Sequence, residues 1–320
     1  MLQVAALVLT ASGWWPTTSA VAQSWPTRPV RIIVPFSPGG GADIQARLLS
    51  RKFHESMGQP FVVDNRPGAS GLIGGEIVAK SPPDGYTILL TGAALSVNVS
   101  LYKKIAFDPV KDLQPVSWVS SVPLVLCTHP NVPANGVKEF IALAKRHKGG
   151  LRGASNGSGT PSHLSIEMLK QMAGVHAVHI PYKGGGPAIT ALLGGEIDFS
   201  FATVLAAKPH VNGSKLRALA VTTAKRSSAF PELPTMSSLN PGFEIDNWYS
   251  MFFPTGTPKE WVAKLNGEIL KALKSREVLD FMSKEGADPV GSSPEELSAY
   301  FKKEVAKYAQ IIHAGNIQVE

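Results

Sequence analysis

One feature constrains the fold of this chain most: an apolar strand that runs into a glycine-rich turn and then a helix, over residues 30–57. Residues 30–36 are rich in β-branched side chains, which is typical of a parallel strand buried on both faces. Apolar residues then recur at helical spacing from Ile44 until Gly58 ends the helix. Between them, Gly39–Gly41 let backbone N–H groups approach a bound group closely, in front of the positive end of a helix. The turn therefore predicts a seat for an anion.

The chain repeats this arrangement. Residues 151–155 read as a second short strand, and a glycine-containing loop follows at 156–160. Thr160 is the expected N-cap of the next helix, Pro161 its first residue and Gly174 its end. Two such units predict two domains that face one small anion. The alternative, that each loop is a tight connection with nothing bound, stays open at this point.

The order of elements predicts an α/β fold with mostly parallel sheets, because strands alternate with helices along the chain. A third loop, with Gly92 and Ala93, follows the strand 86–90 and should line the same cleft. Two long extended stretches, near 120 and 248, imply that the chain crosses twice between domains. The predicted ranges are 23–122 with 247–320 for domain 1, and 123–246 for domain 2.

The N-terminus reads as an export signal. Residues 1–22 carry no charged side chain, and an apolar run is followed by Ala20, Val21 and Ala22, a small-residue cleavage site. We therefore expect a signal peptide over residues 1–22 and a periplasmic location. This segment lacks the Lys or Arg that usually begins a signal peptide. A misassigned start codon and a retained membrane anchor therefore stay open as alternatives.

Charge and motifs exclude several classes of function. The chain has 31 Lys and Arg against 24 Asp and Glu, but they are scattered, which favours a mild steering field for anionic solutes over nucleic-acid binding. None of the glycine runs is a P-loop or an intact dinucleotide-binding motif. His163 and Glu167 share a helix face but lack a third metal ligand. We predict neither a cofactor nor a metal site.

A serine hydrolase is one alternative. Residues 153–157 fit the pattern G-x-S-x-G, which makes Ser155 a candidate nucleophile. In a nucleophile elbow the helix begins at the serine, whereas Thr160 and Pro161 put this helix start five residues later. The possible partners of the serine are His176, His179, His210 and Asp198. Nothing in the sequence pairs them with Ser155, so no catalytic residue is predicted.

Seven segments together carry a family resemblance. They are Val34–Asp43, Asn65–Ala69, Pro83–Thr87, Ser155–Thr160 with His163 and Leu164, Pro181–Gly184, Pro231–Thr235 and Gly256–Pro258. With these motifs in family order from about residue 26 to the C-terminus, the chain resembles the Bug-type solute-binding proteins of tripartite tricarboxylate transporters. It departs from the family pattern in its uncharged N-terminus and at Ser237–Asn240.

The resemblance implies a two-domain periplasmic-binding-protein fold, of the type II or Venus-flytrap kind, that closes on a small carboxylate. It also implies a monomer that serves integral-membrane transporter subunits. In the family, backbone amides and hydroxyls of the two glycine loops, with ordered waters, hold the carboxylate instead of a buried arginine. The residues that match those loops are Phe36, Ser37, Gly39, Gly40, Gly41, Ser155, Asn156, Gly157, Gly159 and Thr160. We add Asp43, Gly92, Ala93, His163 and Tyr182 as candidate ligand-binding residues. Which carboxylate is bound cannot be read from the sequence, and a ligand sensor for a signalling partner stays open.

Overall fold

The computed structural model describes residues 25–318, so the predicted export segment 1–22 lies outside the described part of the chain. The strands are β1 (Val30–Val34), β2 (Phe61–Asn65), β3 (Thr87–Gly92), β4 (Leu113–Thr128), β5 (Leu151–Ser155), β6 (Ala177–Pro181), β7 (Phe199–Thr203), β8 (Arg217–Val221), β9 (Asp246–Pro254) and β10 (Asp288–Pro289). The helices are α1 (Gly41–Met57), α2 (Leu72–Ala79), α3 (Ala94–Leu101), α4 (Val137–Arg146), α5 (Pro161–Ala173), α6 (Gly185–Leu193), α7 (Val204–Asn212), α8 (Lys259–Lys274), α9 (Arg276–Glu285) and α10 (Pro294–Gly315).

The strands form two sheets joined through β4. One has the order β2-β1-β3-β9-β4, in which β1 is parallel to β2 and β3, and β9 is antiparallel to β3 and β4. The other has the order β4-β7-β5-β6, in which β5 is parallel to β6 and β7. Parallel strands thus lie towards the outside of each sheet, and the two crossing strands run antiparallel to their neighbours. We call the part built on β1 lobe A and the part built on β5 lobe B.

The chain passes between the lobes at two adjacent points. In β4, the residues up to Pro123 pair with β9, whereas those from Leu124 onwards pair with β7 and β8. On the return, Ile245 still donates its N–H to Thr222 in lobe B, and Asp246 already pairs with Pro123. These two crossings, at 123–124 and 245–246, are called the hinge below. The domain ranges expected from the sequence stay a prediction.

Both glycine-loop units fold as the local signals predict. Helix α1 ends at Met57 because Gly58 takes a left-handed conformation, with φ of 72°, and returns its N–H to the carbonyl of His54. Helix α5 begins behind Thr160, whose hydroxyl accepts the backbone N–H of His163. The predicted caps and helix ends at these positions are confirmed.

Two helices were not predicted, and each has a physical reason. Most residues of α3 are buried, so its sequence shows no alternation of apolar and polar faces. Helix α7 contains Pro209, a residue that usually marks a helix end.

The C-terminal helix covers the hinge. Trp248 of β9 is fully buried and its indole N–H donates to Glu304 of α10 at 3.2 Å. Tyr308, also in α10, is fully buried and donates its hydroxyl to the carbonyl of Asp246 at 3.3 Å. The chain therefore returns to lobe A, as expected from the second crossing. Within residues 25–318, no helix has both the length and the apolar character needed to cross a membrane.

Candidate ligand-binding site

The first glycine loop, residues 37–41, is held from behind by Asp43. Its carboxylate accepts hydrogen bonds from the Gly39 N–H at 3.0 Å, from Arg47 Nε at 3.0 Å and from Asn65 Nδ2 at 3.1 Å. Burial raises the pKa of Asp43, but the hydrogen bonds from Arg47, Gly39 and Asn65 outweigh it, so the pKa lies below its usual value. Asp43 is therefore ionised, and its carboxylate binds donors of lobe A and fixes the loop.

The second glycine loop, residues 155–160, needs glycine at two positions. Gly157 has φ of 131° and Gly159 has φ of 84°, conformations that other residues rarely adopt. Thr160 closes the loop, since its hydroxyl donates to the carbonyl of Gly157 at 2.7 Å and accepts the N–H of His163 at 3.4 Å. The loop is thereby tied to the N-terminus of α5.

Two histidines lie behind this second loop. The hydroxyl of Ser155 is 2.6 Å from His179 Nε2 and accepts the N–H of Gly157 at 3.1 Å. The N–H of Gly159 donates to His163 Nδ1 at 3.1 Å. The two imidazole rings stack with centroids 4.1 Å apart and planes 21° from parallel. Burial lowers the pKa of each histidine to about 4, so both rings are neutral at pH 7.

A cavity lies between the lobes, in front of both loops, and the space between atoms there is about 420 Å³ when the part open to solvent is counted. Its lining residues are Phe36, Gly40, Gly41, Ala42, Gly92, Ala94, Leu124, Asn156, Thr160, Pro161, Ser162, Gly185, Asn247 and Tyr249. None of these side chains carries a charge. Over residues 25–318, no group of three or more His, Cys, Asp or Glu side chains is placed to hold a metal ion.

Four of the helices in residues 25–318 begin at this cavity. Helices α1 and α3 of lobe A start at Gly41 and Ala94, and helices α5 and α6 of lobe B start at Pro161 and Gly185. All four residues line the cavity. The N–H groups of a first helical turn have no partner within the helix, and each helix start carries about half a positive charge. The site is therefore electropositive and rich in donors without any cationic side chain.

The hinge strand β9 forms one wall of the cavity. Asn247 accepts the N–H of Ala93 through Oδ1 at 3.3 Å and so fixes the start of α3. Tyr249 lines the cavity beside Gly41, where a Cβ would overlap the tyrosine hydroxyl. Burial raises the pKa of Tyr249, which stays protonated. Of the two aromatic residues that follow Asn247, Trp248 lies in the core and Tyr249 on the wall.

The residues proposed from the sequence fall into three groups. Those that line the cavity are Phe36, Gly40, Gly41, Gly92, Asn156 and Thr160. Those that support it from behind, with their polar groups engaged by protein partners, are Asp43, Ala93, Ser155, Gly159 and His163. Those that line outer grooves between the lobes are Ser37, Gly39, Gly157 and Tyr182. Only the first group faces the cavity directly in this conformation.

Several lining residues were not among the ligand-binding residues proposed from the sequence. They are Ala42, Ala94, Leu124, Pro161, Ser162, Gly185, Asn247 and Tyr249. One signal was present: the run Gly184–Gly186 follows β6 and opens α6, the same pattern as the two predicted loops. It was interpreted as a possible nucleotide motif, and Gly184 as part of a family motif, but not as a ligand-binding loop. Asn247 and Tyr249 have no local signal, because they lie within an extended strand.

A two-lobed α/β fold with a donor-lined cavity at its hinge defines the class of periplasmic solute-binding proteins. Within that class, residues 45–317 match the family model described as the tripartite tricarboxylate transporter family receptor, so the chain belongs to this family. The family resemblance inferred from the motifs is confirmed.

Similar proteins agree with this assignment. Protein BugT of Bordetella pertussis is 39% identical over 294 residues, which cover 91% of this chain and 90% of BugT. The structure of the periplasmic binding protein BugD matches with a TM-score of 0.89 and 35% identity, over 92% of this chain and 100% of BugD. The R. palustris protein Rpa4515, solved with adipate, matches with a TM-score of 0.89 and 35% identity, over 92% of this chain and 99% of that one. The predicted fold class is confirmed.

Proposed function

We propose that this chain is a periplasmic receptor that binds a small carboxylate between its lobes and delivers it to the integral-membrane subunits of a tripartite tricarboxylate-type transporter. The observation that carries the proposal is the meeting of four helix N-termini at a cavity without charged side chains. Such a site attracts an anion and repels a cation. Adipate in the structure of the R. palustris relative supports a carboxylate as the anion. We also propose export through residues 1–22 and a monomeric receptor.

A thermal-shift panel tests this function. The panel contains acetate, succinate, adipate and citrate, and 1,6-diaminohexane serves as a cation of adipate's length. A ligand at 100 times its dissociation constant stabilises the folded state by about 2.7 kcal/mol, so a bound carboxylate should raise Tm clearly. If the diamine raises Tm as much as every acid does, or if no acid raises it, the proposal is wrong.

Contacts from both lobes make the site complete. Lobe A offers the N–H groups at the start of α1, near Gly41, and lobe B those at the start of α6, near Gly185. Asn156 adds a side-chain amide, and its buried Oδ1 has no hydrogen-bond partner among the described residues. Rotation of this amide presents its NH₂ group to a carboxylate oxygen instead.

Asn156→Ala should therefore weaken adipate binding by about 1–3 kcal/mol, roughly 5- to 150-fold, because a charged acceptor loses one donor. Calorimetric titration measures the change. The matched control is Asn131→Ala, on an exposed loop of the same lobe, which should bind as the wild type does. If both variants bind adipate equally well, Asn156 does not contact the ligand.

The lobes touch each other in the described conformation. The N–H of Ser37 donates to the carbonyl of Lys183 at 2.9 Å, and the hydroxyl of Ser70 donates to the carbonyl of Ser158. We propose that the predicted domains, 23–122 with 247–320 and 123–246, open and close about the hinge. A ligand favours the closed form only through contacts that the open form lacks, and contacts from both lobes supply them.

We further propose that the receptor has no turnover, although the fold does pair Ser155 with His179. Ser155 is fully buried, and its hydroxyl is engaged by the Gly157 N–H and by His179. Asp198, the acid considered earlier, pairs with Arg152 at 3.0 Å. Hydrolysis of p-nitrophenyl esters by the wild type, absent in Ser155→Ala, would contradict this proposal.

A further inference from the structure

The hydrogen bonds behind the second glycine loop determine where the protons of His163 lie. The backbone N–H of Gly159 can only donate, and it points at His163 Nδ1 from 3.1 Å. Nδ1 must therefore be an unprotonated acceptor. The proton of the neutral ring then sits on Nε2, which lies 3.9 Å from Glu167 Oε1. A second proton on this ring would sit on Nδ1, point at the Gly159 N–H and break this hydrogen bond.

The same reasoning applies to His179 through Ser155. The serine hydroxyl already accepts the Gly157 N–H at 3.1 Å, and its other partner among the described residues is His179 Nε2 at 2.6 Å. Because Ser155 is fully buried, its own proton needs an acceptor, which unprotonated Nε2 provides. Each histidine thus supports one glycine of the loop, His163 directly and His179 through Ser155.

We propose that His163 and His179 are positioning residues for the second glycine loop and support it only as neutral acceptors, so that acidification releases the loop and weakens ligand binding. The inference rests on the proposed function, because residues 155–160 are taken as one side of the ligand seat. The two rings stack at 4.1 Å, so protonation of one histidine is coupled to protonation of the other, since a charge on one ring disfavours a charge on the other.

Among the described residues, two charged side chains act on the two histidine rings. Glu167 and Lys170, both on α5, influence the rings and are themselves paired at 2.9 Å. Burial is the larger influence and holds the pKa of each ring near 4, so the loop is supported at neutral pH and released in acid.

The first test needs no ligand. Amide-proton NMR of the protein follows Gly157 and Gly159 while the imidazole signals report protonation of His163 and His179, from about pH 7.5 down to about pH 3.5. We expect both amides to shift with the midpoints of the histidines. The double variant His163→Asn with His179→Gln keeps an acceptor at each position but does not titrate, so its two amides should stay unchanged. If the amide shifts of Gly157 and Gly159 do not change as the histidines of the wild type protonate, the inference is wrong, whether or not any variant folds.

The second test measures binding of adipate near pH 7.5 by calorimetry. His163→Phe keeps an aromatic ring but loses the acceptor, and it should weaken binding about tenfold, whereas His163→Asn should stay within about threefold of the wild type. Equal binding by the Phe variant would overturn the positioning role. If the wild type binds no carboxylate at all, the proposed function fails, and the ligand-free titration still decides the inference.

Discussion

Gly40→Val is expected to weaken carboxylate binding about 10- to 100-fold while the protein still folds. The backbone at Gly40 is extended, with φ of −87° and ψ of 168°, so a valine adopts it without strain. A Cβ at this position, however, lies 3.3 Å from the backbone nitrogen of Gly185 in the other lobe. The two methyl groups of valine extend further and meet that backbone only when the lobes close. Overpacking of this kind costs about 1–3 kcal/mol, and each 1.4 kcal/mol is tenfold in affinity.

Calorimetry with adipate and solution scattering measure the two consequences. We expect the radius of gyration of the wild type to fall at saturating adipate, and that of Gly40→Val to fall less. Gly136→Val is the matched control, because Gly136 also precedes a helix in extended conformation and a Cβ there meets nothing within 4 Å. If Gly40→Val and Gly136→Val bind and compact alike, the lobes do not close across Gly40. Binding by the wild type without any compaction would mean that the ligand-free protein is already closed.

Acid should destabilise the fold strongly between about pH 6.5 and pH 4. In the folded state burial lowers the pKa of His163 from 6.5 to about 4, so on acidification the unfolded chain binds the proton first. The free energy of unfolding rises with pH wherever the unfolded state binds more protons than the folded state. The contribution of neutral His163 to this free energy is therefore complete above the pKa of the unfolded state, and it is lost as pH falls through the pKa of the folded state. For His163 the loss is on the order of 3 kcal/mol, and half-buried His179 adds a smaller amount in the same direction.

Urea unfolding at several pH values across this window measures the effect. His163→Asn should give a flatter dependence of the unfolding free energy on pH than the wild type. The matched control is His54→Asn, on the exposed face of α1. Equal slopes for the wild type and His163→Asn would contradict a neutral, buried His163 in the folded state. Carboxylates whose pKa is lowered, such as Asp43, act in the same direction but at lower pH.

Local signals allowed much of the fold to be predicted from the sequence. The strand, glycine loop and helix of each unit are specified by neighbouring residues: β-branched runs, helical spacing of apolar residues, the cap Thr160 and the end at Gly58. The two crossings were also predictable, because long extended stretches stand out among short strands. The two glycine loops of the candidate site were predicted from these local signals.

The rest depends on contacts between distant segments. Tyr249 reaches the cavity because of the register of β9, and His179 meets Ser155 because β6 lies beside β5, and neither is visible in a short stretch of sequence. Helix α3 carries one of the four helix starts, yet its burial on most sides removes the periodic pattern by which helices are recognised. Which face of a loop points at the ligand is likewise decided only when the lobes meet.

The pairing of Pro123 with Asp246 has a mechanical consequence. The two connections between the lobes are hydrogen-bonded neighbours, and therefore they behave as one two-stranded ribbon and not as two independent tethers. A ribbon of this kind flexes across its flat face, whereas sliding one strand along the other would break the ladder that runs from Leu113 to Pro123. The relative motion proposed for the lobes would thereby be reduced to nearly a single angular coordinate. Solutes of different length would stop the molecule at different points along that coordinate, but all of them would move it along the same path.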